Sequence, residues 1–125
     1  MQLLWICVAG AAGTGLRHLV TVWAAARWGA TFPYGTITVN IVGCFAIAVV
    51  MHVSSAAGWS ATTRVVLMTG FLGGFTTYSA FNQETLRLVD QGAGGLALLN
   101  VLVTVGGGLL GGWIGMVAAG WLVPR

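Results

Sequence analysis

Asn40 is a side chain in this sequence well equipped for recognition chemistry. It lies in the stretch Thr36-Ile-Thr-Val-Asn40-Ile-Val-Gly43, among apolar and β-branched neighbours. An amide carries two N–H donors, useful to an anion that has lost its water; the blander role for Asn40 is to glue two helices together. Arg17 interrupts the first apolar stretch beside His18. There it either snorkels or lies by an aqueous vestibule, where its charge attracts anions. Tyr78 and Phe81 stand at i and i+3, on one helical face. Aromatic rings have positive edges that can touch an anion without offering full charge, although such pairs also serve as ordinary packing. Glu84 has the same spacing to Arg87 and pairs with it if the segment is helical.

Between these groups runs Gly73-Gly-Phe-Thr-Thr77, a poor continuous helix because of its glycines and β-branched residues. It is either a flexible kink or unwound backbone. Unwound backbone at membrane depth is tolerated only when buried or facing a cavity, and its freed carbonyls are ligands for a small cation. The remaining polar groups inside apolar stretches include Ser79, Asn82 and Thr104. Such groups usually face a pore, a cavity or another helix. Apart from Glu84 this inventory is cationic or neutral, and the only other acid in the chain is Asp90. A proton-coupled exporter or cation pump needs a membrane-embedded acid, so the inventory suits an anion better.

Composition demands a membrane setting. Of 125 residues, 58% are hydrophobic and 6% charged, against roughly a quarter charged in soluble domains. The net charge of +3 comes from arginines scattered singly at 17, 27, 64, 87 and 125, with no basic patch for nucleic acid. A cleavable signal peptide is a poor reading of the first residues, because no basic side chain precedes Leu3 and apolar sequence continues past Arg17. Cys7 and Cys44 fall inside apolar stretches as small apolar residues, and no disulfide is expected.

The elements that must position these residues are four transmembrane helices in a single all-α domain. The apolar runs predict spans over about 3–26, 33–53, 61–89 (broken at 73–77) and 95–122. Pro33 fits a helix start. Gly107/Gly111, Gly108/Gly112 and Gly111/Gly115 provide small-xxx-small spacings for close packing, within one subunit or between two. With four spans, Arg64 and Arg125 fall on one side and Arg27 and Arg87 on the other. The positive-inside rule then expresses no preference. A chain without orientation bias can insert both ways and pair as an antiparallel dimer, with a pore or site between subunits.

These residues resemble the Fluc (CrcB) family of fluoride channels. The resemblance rests on Gly10-Ala-Ala-Gly13 leading to Arg17, on Gly35-Thr36 running to Asn40 and Gly43, and above all on Thr69-Gly-Phe-Leu-Gly-Gly-Phe-Thr-Thr-Tyr-Ser-Ala-Phe-Asn-Gln-Glu84. It implies a dual-topology dimer with two pores at the subunit interface, passing fluoride down its gradient across the cytoplasmic membrane and so limiting fluoride toxicity. It also implies a structural sodium ion on the dimer axis, held by the carbonyls of Gly73 and Thr76 from both subunits. By the same resemblance Asn40 is the pore amide and Tyr78 with Phe81 the aromatic pair. Thr36, Thr77 and Thr104 are hydroxyls near the path, Arg17 is the vestibule arginine, and Glu84 is an acid near a helix end. The chain departs from the family pattern in carrying Tyr78 where phenylalanine is usual. It also has Gly108 and Gly112 where a row of hydroxyl or imidazole side chains often continues from Thr104.

The rival in another class is a small dual-topology multidrug-type exporter, which needs an acid in the first span; residues 3–26 hold none. An enzyme is not expected, since His18 and His52 have no nucleophile or metal-ligand pattern around them. The expected partners are fluoride, membrane lipid and a second copy of the chain, with pairing to a homologue left open.

Overall fold

The computed structural model describes residues 1–123, and the regular elements among them are helical. Arg125, counted above for orientation, lies outside the described residues. Three helices follow the apolar runs: α1 (Gln2–Trp28), α2 (Tyr34–Ala56) and, last in the chain, α6 (Gly94–Leu122). All three are long and apolar enough to cross a membrane. Even α2, with 23 residues, reaches roughly 35 Å at 1.5 Å per residue, against a hydrocarbon core of about 30 Å.

The stretch expected as the third span is instead assembled from pieces. Helix α3 (Ala61–Val65) starts on Ser60, whose hydroxyl accepts from the Thr63 N–H at 3.1 Å. It widens into a π-helical stretch, Val66–Leu72, which tightens again into α4 (Gly73–Phe75). Gly73–Phe75, expected outside any helix, is therefore helical. Extended backbone is confined to Thr76 (φ −85°, ψ 161°) and Thr77 (φ −153°, ψ 117°). Helix α5 (Tyr78–Asp90) follows, with Thr77 as its N-cap. No residue pattern in the sequence marks this widening; π-helical turns occur mostly inside α-helices and frequently at functional sites.

Glycines decide the packing. The α2 and α6 helices form the most extensive pair, and the glycine row of α6 lies against α2 of the same subunit. A Cβ on Gly111 would stand 3.0 Å from the Ile41 carbonyl, and one on Gly115 only 2.5 Å from the Phe45 carbonyl. On the other side α1 closes on the π-helical stretch and α4. Gly13 abuts the Phe71 carbonyl, and a Cβ on Gly74 would come within 2.5 Å of the Gly10 carbonyl. Such approach is how helices associate in lipid, where burying apolar surface gives no driving force. Accordingly the interior is thin, with Val39, Ser54, Leu88 and Asn100 fully buried, while Leu109, Leu110 and Trp113 point outward.

Gly29, at φ 84°, ends α1 in the left-handed region that glycine enters freely. The turn it begins carries an aromatic cluster, Trp23 to Trp28 (5.0 Å between centroids), Trp28 to Tyr34 (5.7 Å) and Tyr34 to Phe32 (5.1 Å). Amphipathic rings gathered at helix ends mark the membrane–water boundary.

Candidate functional site

The extended pair Thr76–Thr77 organises the site. An uninterrupted helix would give the Thr77 N–H to the carbonyl of Gly73, four residues back. That N–H goes instead to Asn40 Oδ1 at 2.8 Å, and Asn40 Nδ2 donates back to the Thr77 carbonyl at 3.0 Å. One side-chain amide thus replaces both backbone partners of a residue that has left the helix, and the polarity of those partners fixes which way round the amide lies. Three residues on, the Ala80 N–H goes to Thr77 Oγ1 at 3.2 Å rather than to the Thr76 carbonyl. The carbonyls of Gly73 and Thr76 are released from their helical partners, one by Asn40 and one by the Thr77 cap. Neutral carbonyl oxygens are the donor type that hard cations take.

Of the two carbonyls between them, that of Gly74 is held differently. Arg17 Nε donates to the Gly74 carbonyl at 3.0 Å, and Thr14 Oγ1 reaches the same oxygen at 3.4 Å. Arg17, expected in a vestibule, therefore caps the C-terminal end of α4, where a cation also meets the negative end of the helix dipole favourably. Thr76 turns its own hydroxyl back to the Leu72 carbonyl at 3.0 Å.

A groove of about 440 Å³ runs beside this pair. Asn40 lines it from α2, Gly73 from α4, Thr76 and Thr77 from the extended pair, Tyr78 and Phe81 from α5, and Thr104 and Gly108 from α6. The rings of Tyr78 and Phe81 are 5.6 Å apart and tilted by 55°. Phe81 is buried at 8% exposed, whereas Tyr78 is 80% exposed. Thr36, Glu84 and Arg17 do not line this groove. Thr36 is buried and donates its hydroxyl to Glu84 Oε1 at 2.9 Å, tying α2 to α5; Glu84 Oε2 is buried with no protein partner among the described residues. The Arg87 guanidinium reaches the Ala30 carbonyl at 3.4 Å. Since an amide already engaged by Thr77 has one N–H left, Asn40 has one free donor rather than two.

Asn100 and Thr85 stand outside the residues that the sequence marks. Asn100 is a lone amide in Leu98-Leu-Asn-Val-Leu102, which is signal enough, because polar groups in a span need a partner. It donates to Thr85 Oγ1 at 2.8 Å and accepts from Thr104 Oγ1 at 3.3 Å, joining α5 to α6.

Comparison with known proteins gives this arrangement a family. The profile described as "CrcB-like protein, Camphor Resistance (CrcB)" matches residues 4–116. The chain is 42% identical over 120 residues to a fluoride-specific ion channel FluC of Sorangium cellulosum (strain So ce56), covering 95% of this chain and 94% of that protein. It is 44% identical over 116 residues to the protein of that name from Roseiflexus sp. (strain RS-1), covering 92% and 94%. With the counterpart from Acidobacterium capsulatum it shares 40% over 124 residues, covering 98% and 99%. A multi-pass helical chain matched this far along its length by channels of one name belongs with them: it is a member of the CrcB family of fluoride-specific ion channels.

Proposed function

We propose that this chain conducts fluoride passively across the cytoplasmic membrane through pores completed by a second, antiparallel copy of itself. The observation that carries this reading is the groove, whose lining collects the Asn40 amide, the Phe81 and Tyr78 rings and Thr104. Fluoride is small and strongly hydrated, so its pore must replace water with several modest donors that also let it leave. One amide N–H, ring edges and a hydroxyl are such donors.

The second copy is supported by the interruption itself. Extended backbone cannot face lipid, yet in a single chain Thr76 is only half-buried and Tyr78, the first helical residue after the extended pair, is exposed. A second protein surface supplies the cover. Antiparallel pairing follows from the balanced arginines, and a closed dimer is the commonest soluble-protein solution to a self-complementary face. The released carbonyls of Gly73 and Thr76 fit a sodium ion at such an interface, two oxygens coming from each copy. A bound sodium there would supply a fixed positive charge that balances the carbonyl dipoles.

Liposomes holding the purified protein are the test. Fluoride is expected to leave without a proton gradient while chloride is retained. Comparable chloride leakage, or fluoride flux that needs a proton gradient, overturns the reading. Exchanging sodium for N-methylglucamine on both sides is expected to reduce flux or dimer stability, and unchanged values of both would remove the sodium from the account.

A further inference from the structure

Asn100 is 0% exposed and joined to two hydroxyls. The direction of each bond follows from proton counting. Thr85 Oγ1 gives its only proton to the Phe81 carbonyl at 2.7 Å, so it can only accept from Asn100. The NH₂ of Asn100 must therefore face Thr85, and Oδ1 must face Thr104. Thr104 accordingly gives its only proton to Asn100 rather than to the groove that it lines. The bonds on the Thr85 side, 2.8 and 2.7 Å, are short. The Thr104 bond, at 3.3 Å, is longer than the usual hydroxyl distance of about 2.7–2.8 Å, hence weak.

We propose that Asn100 is a positioning residue that competes with the permeating anion for the Thr104 proton and so keeps anion binding at Thr104 weak. This rests on the channel reading above, with Thr104 on the path. A fluoride ion arriving at Thr104 must turn the hydroxyl away from Asn100 Oδ1, which loses its partner in a site closed to water. Weak binding at each station is what lets an ion leave as readily as it enters. Thr85 acts one step further back, by holding the amide so that its acceptor, not its donor, meets Thr104.

The experiment measures fluoride flux against fluoride concentration in liposomes. Asn100→Leu removes the competing acceptor at similar volume. Its half-saturating concentration is expected to fall about two- to tenfold, the range spanned by one net hydrogen bond. Thr85→Val frees the amide to turn and donate to Thr104, and is expected to shift half-saturation the same way. This gives an independent reading where Asn100→Leu fails to assemble. In a Thr104→Val background both shifts should vanish, whereas a merely structural role would lower flux equally in both backgrounds. Unchanged half-saturation in Asn100→Leu and Thr85→Val, or equal shifts with and without the Thr104 hydroxyl, overturns the proposal while leaving the channel intact. Wild-type flux and half-saturation in Thr104→Val alone would take Thr104 off the path and overturn the placement on which the proposal stands.

Discussion

Replacing Asn40 by alanine removes both hydrogen bonds to Thr77, at 2.8 and 3.0 Å, and leaves a buried N–H and carbonyl without partners. An unpartnered buried polar group costs about 1–3 kcal/mol, so the two together amount to about 2–6 kcal/mol against the extended conformation. The chain has a ready alternative, since the Thr77 N–H can return to the Gly73 carbonyl and continue the helix. That recaptures an oxygen proposed above to bind sodium and moves Tyr78 and Phe81 relative to α2. Since each 1.4 kcal/mol is a factor of ten, even the lower bound predicts a loss of fluoride efflux of more than about tenfold. The measurements are fluoride efflux from liposomes and unfolding in detergent, both against wild type. Asn40→Asp separates the two duties of the amide. Its carboxylate still accepts from the Thr77 N–H, but it sets an oxygen against the Thr77 carbonyl and a negative charge beside the groove, so flux should be abolished. Wild-type efflux and unaltered unfolding in Asn40→Ala would refute the reasoning, because nothing would then depend on the Asn40–Thr77 pair.

Phe81→Leu keeps a buried apolar residue but removes the ring edge, and should lower fluoride flux by about tenfold, matching a loss of about 1.5 kcal/mol of aromatic contact; full conduction would mean that the pore runs elsewhere. Gly115→Ala forces a methyl to 2.5 Å from the Phe45 carbonyl and should destabilise the α2–α6 pair by about 1–3 kcal/mol in detergent unfolding. Gly106→Ala, whose Cβ meets nothing within 4 Å, should be silent there. Gly108→Ser places its Cβ 3.3 Å from Cys44 Sγ, a fit that a shift of a few tenths of an ångström accommodates. The unmodified chain is expected to conduct by itself as a homodimer. A non-conducting wild-type dimer beside a conducting Gly108→Ser variant would end the self-pairing account.

The apolar runs mark α1, α2 and α6 directly, because hydrophobicity sustained over a membrane's thickness is a local property of the chain. The string Thr69–Glu84 carries the family resemblance for the same reason. Hydrogen-bond partners are not local. Asn40 and Thr77 stand 37 residues apart, and Arg17 and Gly74 stand 57 apart. The sequence therefore marks Asn40 as a donor without revealing that Thr77 takes one of its two N–H groups. Likewise it marks Arg17 as a charge inside a span without revealing the carbonyl that it caps.

Residue types and spacing by themselves determined that the chain is a helical membrane protein, poor in acids, with a segment unsuited to continuous helix late in its third apolar stretch. Only the tertiary structure decided where the interruption falls. The sequence assigned 73–77, whereas the extended backbone is confined to Thr76 and Thr77. Glycine-rich backbone is nearly indifferent between helix and extended forms, so propensity cannot choose the residue at which the helix ends. The choice belongs to an amide on α2 and a guanidinium on α1, which bind two neighbouring stretches of freed backbone once three helices have packed close enough to reach them.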